Sequence, residues 1–300
     1  MTNAFVRKKI REMLAEDLGS GDITSKALIP SKVKAKAKIT AKQPGVIAGV
    51  REAMVAFGEV GVQAKALKPD GQQIKVGDVI LRLEGPARGI LAAERVALNL
   101  LMRMSGIATA TRSLIDRARK KNPDVVISAT RKTAPLLTYF DKRAVQVAGG
   151  APHRYKLSDH ILIKGNHLRL VGSVSAAVLQ ARESSRVKKV EVEVSNPDDA
   201  YEAARAGADV IMLDNMKPTD IMHAIKALER GGMRDRVTLE ASGGIDPSNV
   251  ESYVATGVDV ISSSYITLRA PALDMRLEVK SKGFKLTANR RKQKLGLSDG

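Results

Sequence analysis

From residue 124 onward the sequence repeats one pattern: a short apolar run, a polar loop and a helical stretch. The runs are VVISA (125–129), ILIK (161–164), VEVEV (190–194), VIMLD (210–214), VTLEA (237–241) and VDVISS (258–263). Runs this short and this rich in Val and Ile read as strands. Helical stretches between them open on good N-terminal signals, as in Asn196-Pro197-Asp198-Asp199 and Asp246-Pro247-Ser248. Strands that alternate with helices and are buried on both faces form a parallel sheet, and this many in series argue for a (β/α) barrel. Six strands are clear and AVQVAG (144–149) is a weaker seventh. The expected barrel is therefore irregular, with about six to seven parallel strands.

The first hundred residues follow another rule. MTNAFVRKKIREMLAEDLG reads as an amphipathic helix, and KVKAKAKI (32–39) alternates strictly, with lysines on one face and Val33, Ala35, Ala37 and Ile39 on the other. Such alternation marks a half-buried strand of a mostly antiparallel sheet. Turn signals at Asp70-Gly71 and Gly77-Asp78 frame two further short strands within 68–85. A long apolar-periodic stretch over 92–121 follows, with Gly106 a candidate break. The chain is thus α/β in class, divided into an N-terminal α/β domain (1–110), a barrel domain (111–270) and a basic tail (284–300); the segment at about 270–283 is a candidate to pack back on the first domain.

Composition narrows the function classes. The chain has no cysteine, which excludes disulfides, thiolate metal sites and a cysteine nucleophile, and fits a reducing cytoplasm. No stretch resembles a signal peptide or approaches the roughly 18 uncharged apolar residues of a membrane span. The net charge is +18, and residues 276–300 hold eight Lys/Arg against two acids. A charge of this sign suits nucleic acid or small polyanionic substrates. Aromatics make up only 3% and Trp is absent, so stacking platforms for single strands are lacking; nucleic acid is expected at most as a non-specific partner of the tail.

In a (β/α) barrel the chemistry sits at the C-terminal strand ends. There this chain places Thr130-Arg131-Lys132 after the first strand and Lys164, Asn166 and His167 after ILI. Glu191 and Glu193 lie in VEVEV, Asp214-Asn215 end VIML, Ser242-Gly243-Gly244 follow VTLEA, and Ser262, Ser263 and Ser264 end the last strand. Caps and turns account for one or two of these, not for a sorted set. The glycines and serines suit a phosphate. Glu193 and Asp214 suit Mg²⁺, the competing reading of either being an ion-pair partner. Arg131, Lys132, Arg154 and Lys164 would repel one another unless an anionic ligand faces them. His153, His160 and His167 fall seven apart, but ILIK reads as a strand, so no continuous helix aligns them as one constellation. His153 goes with Arg154, His160 with the start of the strand, and His167 with Lys164; His223 is expected on a helix surface.

Several stretches in order, ERVALNLLMRMSGIAT (94–109), TRKTAPLL (130–137), GGAPHRYKLSDHILIKGNH (149–167), VEVEV, IMLDN (211–215) and LEASGGI (239–245), resemble the quinolinate phosphoribosyltransferase family, as does EDLGSGDITS (16–25). The resemblance covers about residues 10–280. It implies an N-terminal α/β sandwich joined to an irregular barrel, and a homodimer or larger assembly of dimers. It also implies Mg²⁺-dependent condensation of quinolinate with phosphoribosyl pyrophosphate in NAD biosynthesis, with release of pyrophosphate and CO₂. By motif, Arg131, His153, Arg154 and Lys164 would hold the two carboxylates of quinolinate, and Arg95 would reach in from the partner subunit. Lys132 would lie near the pyrophosphate or quinolinate. Glu193 and Asp214 would lie near ribose and metal, and Thr130, Ser242, Gly243, Gly244, Ser263 and Ser264 would line the substrate site, the last five near the 5′-phosphate. Ser264 stands where bacterial relatives usually carry glycine. The rival readings are a paralogue acting on another base or in molybdenum transport, and an aldolase-type barrel with Lys164 as Schiff-base lysine.

Overall fold

The computed structural model describes residues 3–185 and 187–280; the 284–300 tail lies outside them. The N-terminal unit comprises α1 (Asn3–Leu18), α2 (Ile23–Leu28), β1 (Lys34–Ala41), β2 (Gly45–Val46), α3 (Val50–Glu59), β3 (Gln63–Ala66), β4 (Gln73–Ile74) and β5 (Val79–Pro86). The alternation in β1 does what its pattern predicts: Ala37 and Ile39 are buried while Lys34 and Lys36 are exposed. Lys36 pairs with Glu84 directly across the ladder (3.1 Å) and Lys38 with Glu278 (2.8 Å). Exposed pairs of this kind contribute little individually. Val6, Ile10 and Leu14, four residues apart, turn one face of α1 into the core.

The helix α4 (Ala87–Arg119) then runs for 33 residues without interruption and carries the chain from sheet to barrel. Gly106 does not break it. A Cβ there would lie 2.0 Å from the carbonyl oxygen of Pro271, so the glycine exists to let the backbone at 271–272 cross the helix at contact distance.

The barrel unit comprises β6 (Val126–Ser128), α5 (Thr138–Val147), β7 (Ile161–Ile163), α6 (Gly165–Val171), α7 (Val174–Ser184), β8 (Val190–Val194), α8 (Pro197–Arg205), β9 (Val210–Asp214), α9 (Pro218–Arg230), β10 (Thr238–Ser242), α10 (Val250–Val254) and β11 (Val260–Ser262). Its six parallel strands lie in the order β6-β11-β10-β9-β8-β7. The last strand, β12 (Met275–Lys280), leaves the barrel and pairs antiparallel with β1, making the N-terminal sheet β12-β1-β5-β3.

The stretch 144–149, read from sequence as a weak strand, is instead the end of α5 and its cap. Phe140, Ala144, Val145 and Ala148 bury one helical face there, and six residues of mixed apolar pattern cannot separate that period from alternation. The seventh stave is the segment just beyond. Ala151 bridges Ser128, with Ala129 N–H donating to Ala151 O and Ala151 N–H to Ile127 O, both at 2.8 Å. Arg154 Nη1 donates to His160 O ahead of β7. Residues 151–154 thereby fill the gap between β6 and β7 with irregular backbone.

Candidate active site

The parallel strands point their C-terminal ends at a pocket of about 210 Å³. After β6 come Thr130, Arg131 and Lys132; the 151–154 stave supplies His153 and Arg154; β7 and its end supply Leu162 and Lys164. Glu193 of β8, Met212 and Asp214 of β9 with Asn215 just beyond it, and Glu240 and Ser242 of β10 complete the wall. The strand-end residues come together because parallel strands with a common start place their last side chains on one rim.

Electrostatics separates these groups. Lys164 Nζ is held by Glu193 Oε1 at 2.6 Å. Among the described residues, Arg131, Lys132 and Arg154 form no salt bridge with any carboxylate. Arg154 is buried, 5% exposed, and its Nε has no partner. Burial, and then the Arg131 charge, lower its hold on its proton, although a guanidinium stays charged at neutral pH. Three cations in one pocket that its carboxylates leave without a salt bridge form a receptor for an anion.

Backbone strain is concentrated in the same place. Leu136, His153 and Asn215 are the non-glycine residues at positive φ among those described, and the last two line the pocket. Such conformations cost about 1–3 kcal/mol and persist where the surroundings enforce them. For His153 the enforcing group is Lys142 of α5, whose fully buried ammonium donates to the carbonyls of Pro152 and Arg154 (2.5 and 2.6 Å). For Asn215 it is the β9–β10 pairing: its N–H donates to Ser242 O, and its side chain fills the space a Cβ on Gly243 would need. Asp141, also buried, takes a bidentate bond from Arg103 (2.7 Å twice) and the Ala134 N–H, pinning the loop after β6.

Some expected residues lie apart from the pocket wall. Gly243, Gly244, Ser263, Ser264 and Arg95 do not line it. Gly243 and Gly244 adopt positive φ beside it. Ser263 is buried and its hydroxyl donates to Ile245 O, shaping the loop. Arg95 lies on α4 with its side chain largely exposed. His223 is exposed on α9, and His167 Nδ1 accepts from the Lys164 N–H, capping α6.

The histidines do not separate as the strand at 161–164 suggests. His153 and His160 face one another with ring centroids 5.3 Å apart and share the carboxylate of Glu191. Burial raises the affinity of Glu191 for a proton, but the two imidazoles, His153 at 3.4 Å and the hydrogen-bonded His160 at 2.8 Å, outweigh it and bring the pKa down to about 2. Glu240, buried and then repelled by Glu191, is pushed up to about 7. The VEVEV spacing put Glu191 on the same strand face as Glu193, one step deeper; that the 151–160 segment would meet it there depends on barrel closure. Lys142, Asp141 and Glu240 carry no sequence signal separating them from ordinary helix and strand residues.

A larger cavity, about 550 Å³, lies between α3, α5 and the 155–159 loop, with Arg51, Arg143, Tyr139 and Tyr155 in its wall. Arg143 is already satisfied by Glu52 (2.9 Å) and Asp70 (3.0 Å), so its main cation is not free for a ligand.

The same arrangement of domains occurs in known proteins. The model of the quinolinate phosphoribosyl transferase N-terminal domain matches residues 22–105, and that of the C-terminal domain residues 107–278. A probable nicotinate-nucleotide pyrophosphorylase (carboxylating) from Methanothermobacter thermautotrophicus is 48% identical, over 90% of this chain and 98% of its own length. The human nicotinate-nucleotide pyrophosphorylase (carboxylating) is 37% identical, over 85% of this chain and 86% of its own length. The crystal structure of the nicotinate-nucleotide pyrophosphorylase from Francisella tularensis superposes with a TM-score of 0.86 at 35% identity, covering 93% of this chain and 98% of that one. Among the described residues no helix is long and apolar enough to cross a membrane. With both domain models matched in order, the chain belongs to the quinolinate phosphoribosyl transferase family.

Proposed function

We propose that this chain transfers the phosphoribosyl group of phosphoribosyl pyrophosphate to the ring nitrogen of quinolinate, releasing pyrophosphate and CO₂ and leaving nicotinate mononucleotide, a step of NAD biosynthesis. Family membership supports it, and the observation that carries it is the cluster of Arg131, Lys132 and Arg154, without carboxylate partners, around one small pocket. A monocarboxylate would leave part of that charge unanswered; a dicarboxylate with a polyphosphate answers it.

In this reading Arg131, Arg154, His153 and Lys164 grip the two carboxylates, and Lys132 faces the pyrophosphate. Thr130 caps its own loop by accepting from the Lys132 N–H (3.0 Å). Ser242, Gly243, Gly244 and Ser264 form the 5′-phosphate end, Ser263 serving only to hold the loop. Departure of pyrophosphate develops positive charge at C1 of the ribose, which Glu193 and Asp214 stabilise from the rim. Attack by the pyridine nitrogen makes a pyridinium cation. The electron pair of the adjacent C–C bond stays on the ring carbon beside that cation, which stabilises it as the carboxylate leaves as CO₂; a proton from solvent then takes the vacated position, so no decarboxylation cofactor is required. The protein's contribution is positioning of two polyanions in a pocket of limited water access.

Glu193 and Asp214 also suit Mg²⁺. Each has one oxygen engaged, by Lys164 and by Asn215 Nδ2 respectively, and one left for a hard, oxygen-seeking cation that prefers carboxylates plus substrate oxygens. Bound there, the ion would neutralise charge on the leaving pyrophosphate. The working unit is a cytoplasmic homodimer in which Arg95 serves the partner's pocket. The test follows CO₂ and nicotinate mononucleotide from quinolinate, phosphoribosyl pyrophosphate and Mg²⁺, with nicotinate as the competing substrate. Arg154→Ala should cut kcat/KM for quinolinate at least ~100-fold, the ~3 kcal/mol scale of a lost charge-assisted bond. Normal turnover by that variant, or preference for nicotinate, would sink the assignment.

A further inference from the structure

At the floor of the pocket His153 and Glu240 of its wall meet two further polar groups, His160 and Glu191, for which the proposed phosphoribosyl transfer has no use. Barrel interiors of this class are ordinarily filled by branched apolar side chains. Here the side chains of Glu191 and Glu240 are 3% and 5% exposed, and His153 and His160 stand over them. His160 Nε2 lies 2.8 Å from Glu191 Oε2, and His153 Nε2 lies 3.4 Å from Glu191 Oε1 and 3.8 Å from Glu240 Oε1. The donor atoms of His153, His160 and Glu191 all fall within 4.8 Å of one another. Glu191 Oε1 and Glu240 Oε1 are buried without any hydrogen-bond partner. Among the described residues no Lys or Arg forms a salt bridge with either carboxylate. Two buried acids that converge on imidazole nitrogens, each with an oxygen unsatisfied, are short of a cation.

We propose that His153, His160 and Glu191 bind a first-row transition-metal ion of the zinc class, with Glu240 placed to complete its shell. Two imidazoles and a carboxylate suit zinc or cobalt, whereas magnesium prefers oxygen ligands alone. The site is therefore chemically distinct from the Glu193–Asp214 rim above it. A bound ion takes up His153 Nε2, which already faces Glu191 and Glu240, and withholds it from a substrate carboxylate, so zinc antagonises the dicarboxylate substrate. That consequence rests on the quinolinate reading; the metal site does not.

The test uses the untagged full-length chain, stripped with chelator and titrated with Co²⁺ alone, without substrates. One Co²⁺ per chain is expected, with the intense visible bands of a low-coordinate, nitrogen-ligated ion, and Zn²⁺ should displace it. His160→Gln keeps a side chain able to hydrogen-bond Glu191 but removes an imidazole. It should weaken binding at least ~10-fold, since even changes outside the ligand shell cost about 10–100-fold. Glu193→Gln/Asp214→Asn should leave the bands in place. Absent bands, bands unchanged in His160→Gln, or bands lost in the rim variant would each overturn the proposal. Should the histidine variant fail to fold, the wild-type chain still decides: ring ¹⁵N resonances of His153 and His160 must both shift with Zn²⁺, and if they do not the site is wrong. Turnover with Mg²⁺ alone is measured in parallel, so loss of the metal site and loss of the enzymatic reading give different results.

Discussion

Lys142 sits on α5 with no exposed surface, and its ammonium donates to the carbonyls on either side of His153. Burial, followed by the repulsion of Arg131, brings its pKa down to about 8, against about 10.4 for a lysine in an unfolded chain. Between those values the unfolded state binds more protons than the native one, so this residue's contribution to stability rises with pH across that window and is lost as pH falls through 8. Thermal melts of the wild type and Lys142→Met at pH 7.5, 9 and 10 should show the difference in Tm moving steadily in favour of the wild type. A difference that stays flat with pH would mean that Lys142 titrates normally and that its burial is not what perturbs it. In the sequence YFDKRAV this lysine is indistinguishable from a solvated helix residue. It is buried because the 151–154 stave crosses over it, a long-range fact that no local period records.

At the scale of elements, what was legible followed from periodicity. The alternation in β1 and the apolar runs of β6 to β11 carry their structure locally, because burial on one face or on two leaves a different pattern in the sequence. What was not legible is backbone that serves a neighbour. The end of α5 mimicked a strand over 144–149, and Gly106 looked like a helix break although α4 runs through it. The glycine's purpose is contact with Pro271, which is 165 residues away in the chain. Gly106→Ala follows as a test. An isolated helix would gain up to about 1 kcal/mol from it, but here the added methyl meets backbone that cannot give way cheaply. Net destabilisation of about 1–3 kcal/mol is expected, read as a lowered urea midpoint with unchanged slope. A stabilised variant would show that the 271–272 crossing is looser than its geometry implies.

At the scale of the whole molecule, the sorted polar residues at the strand ends were legible because a parallel barrel converts strand order into angular position around one rim. Cations came from β6, the 151–154 stave and β7, carboxylates from β8 and β9. Arg95 does not follow that rule: it lies on α4, exposed and away from the pocket of its own chain. If it serves the pocket of a second copy, two inactive variants must complement each other. Arg95→Ala and Arg131→Ala chains, each alone, should be nearly inactive with quinolinate. In a mixed dimer one pocket receives both defects and the other receives none. Random re-pairing of equal amounts makes about half the dimers mixed, and half their sites are intact, so about a quarter of wild-type activity should return. Recovery must depend on mixing under conditions that allow subunit exchange, and should be absent when the variants are combined after cross-linking. If no activity returns although exchange is demonstrated by mass, Arg95 acts within its own chain or not at all, and the pocket is complete in a single copy.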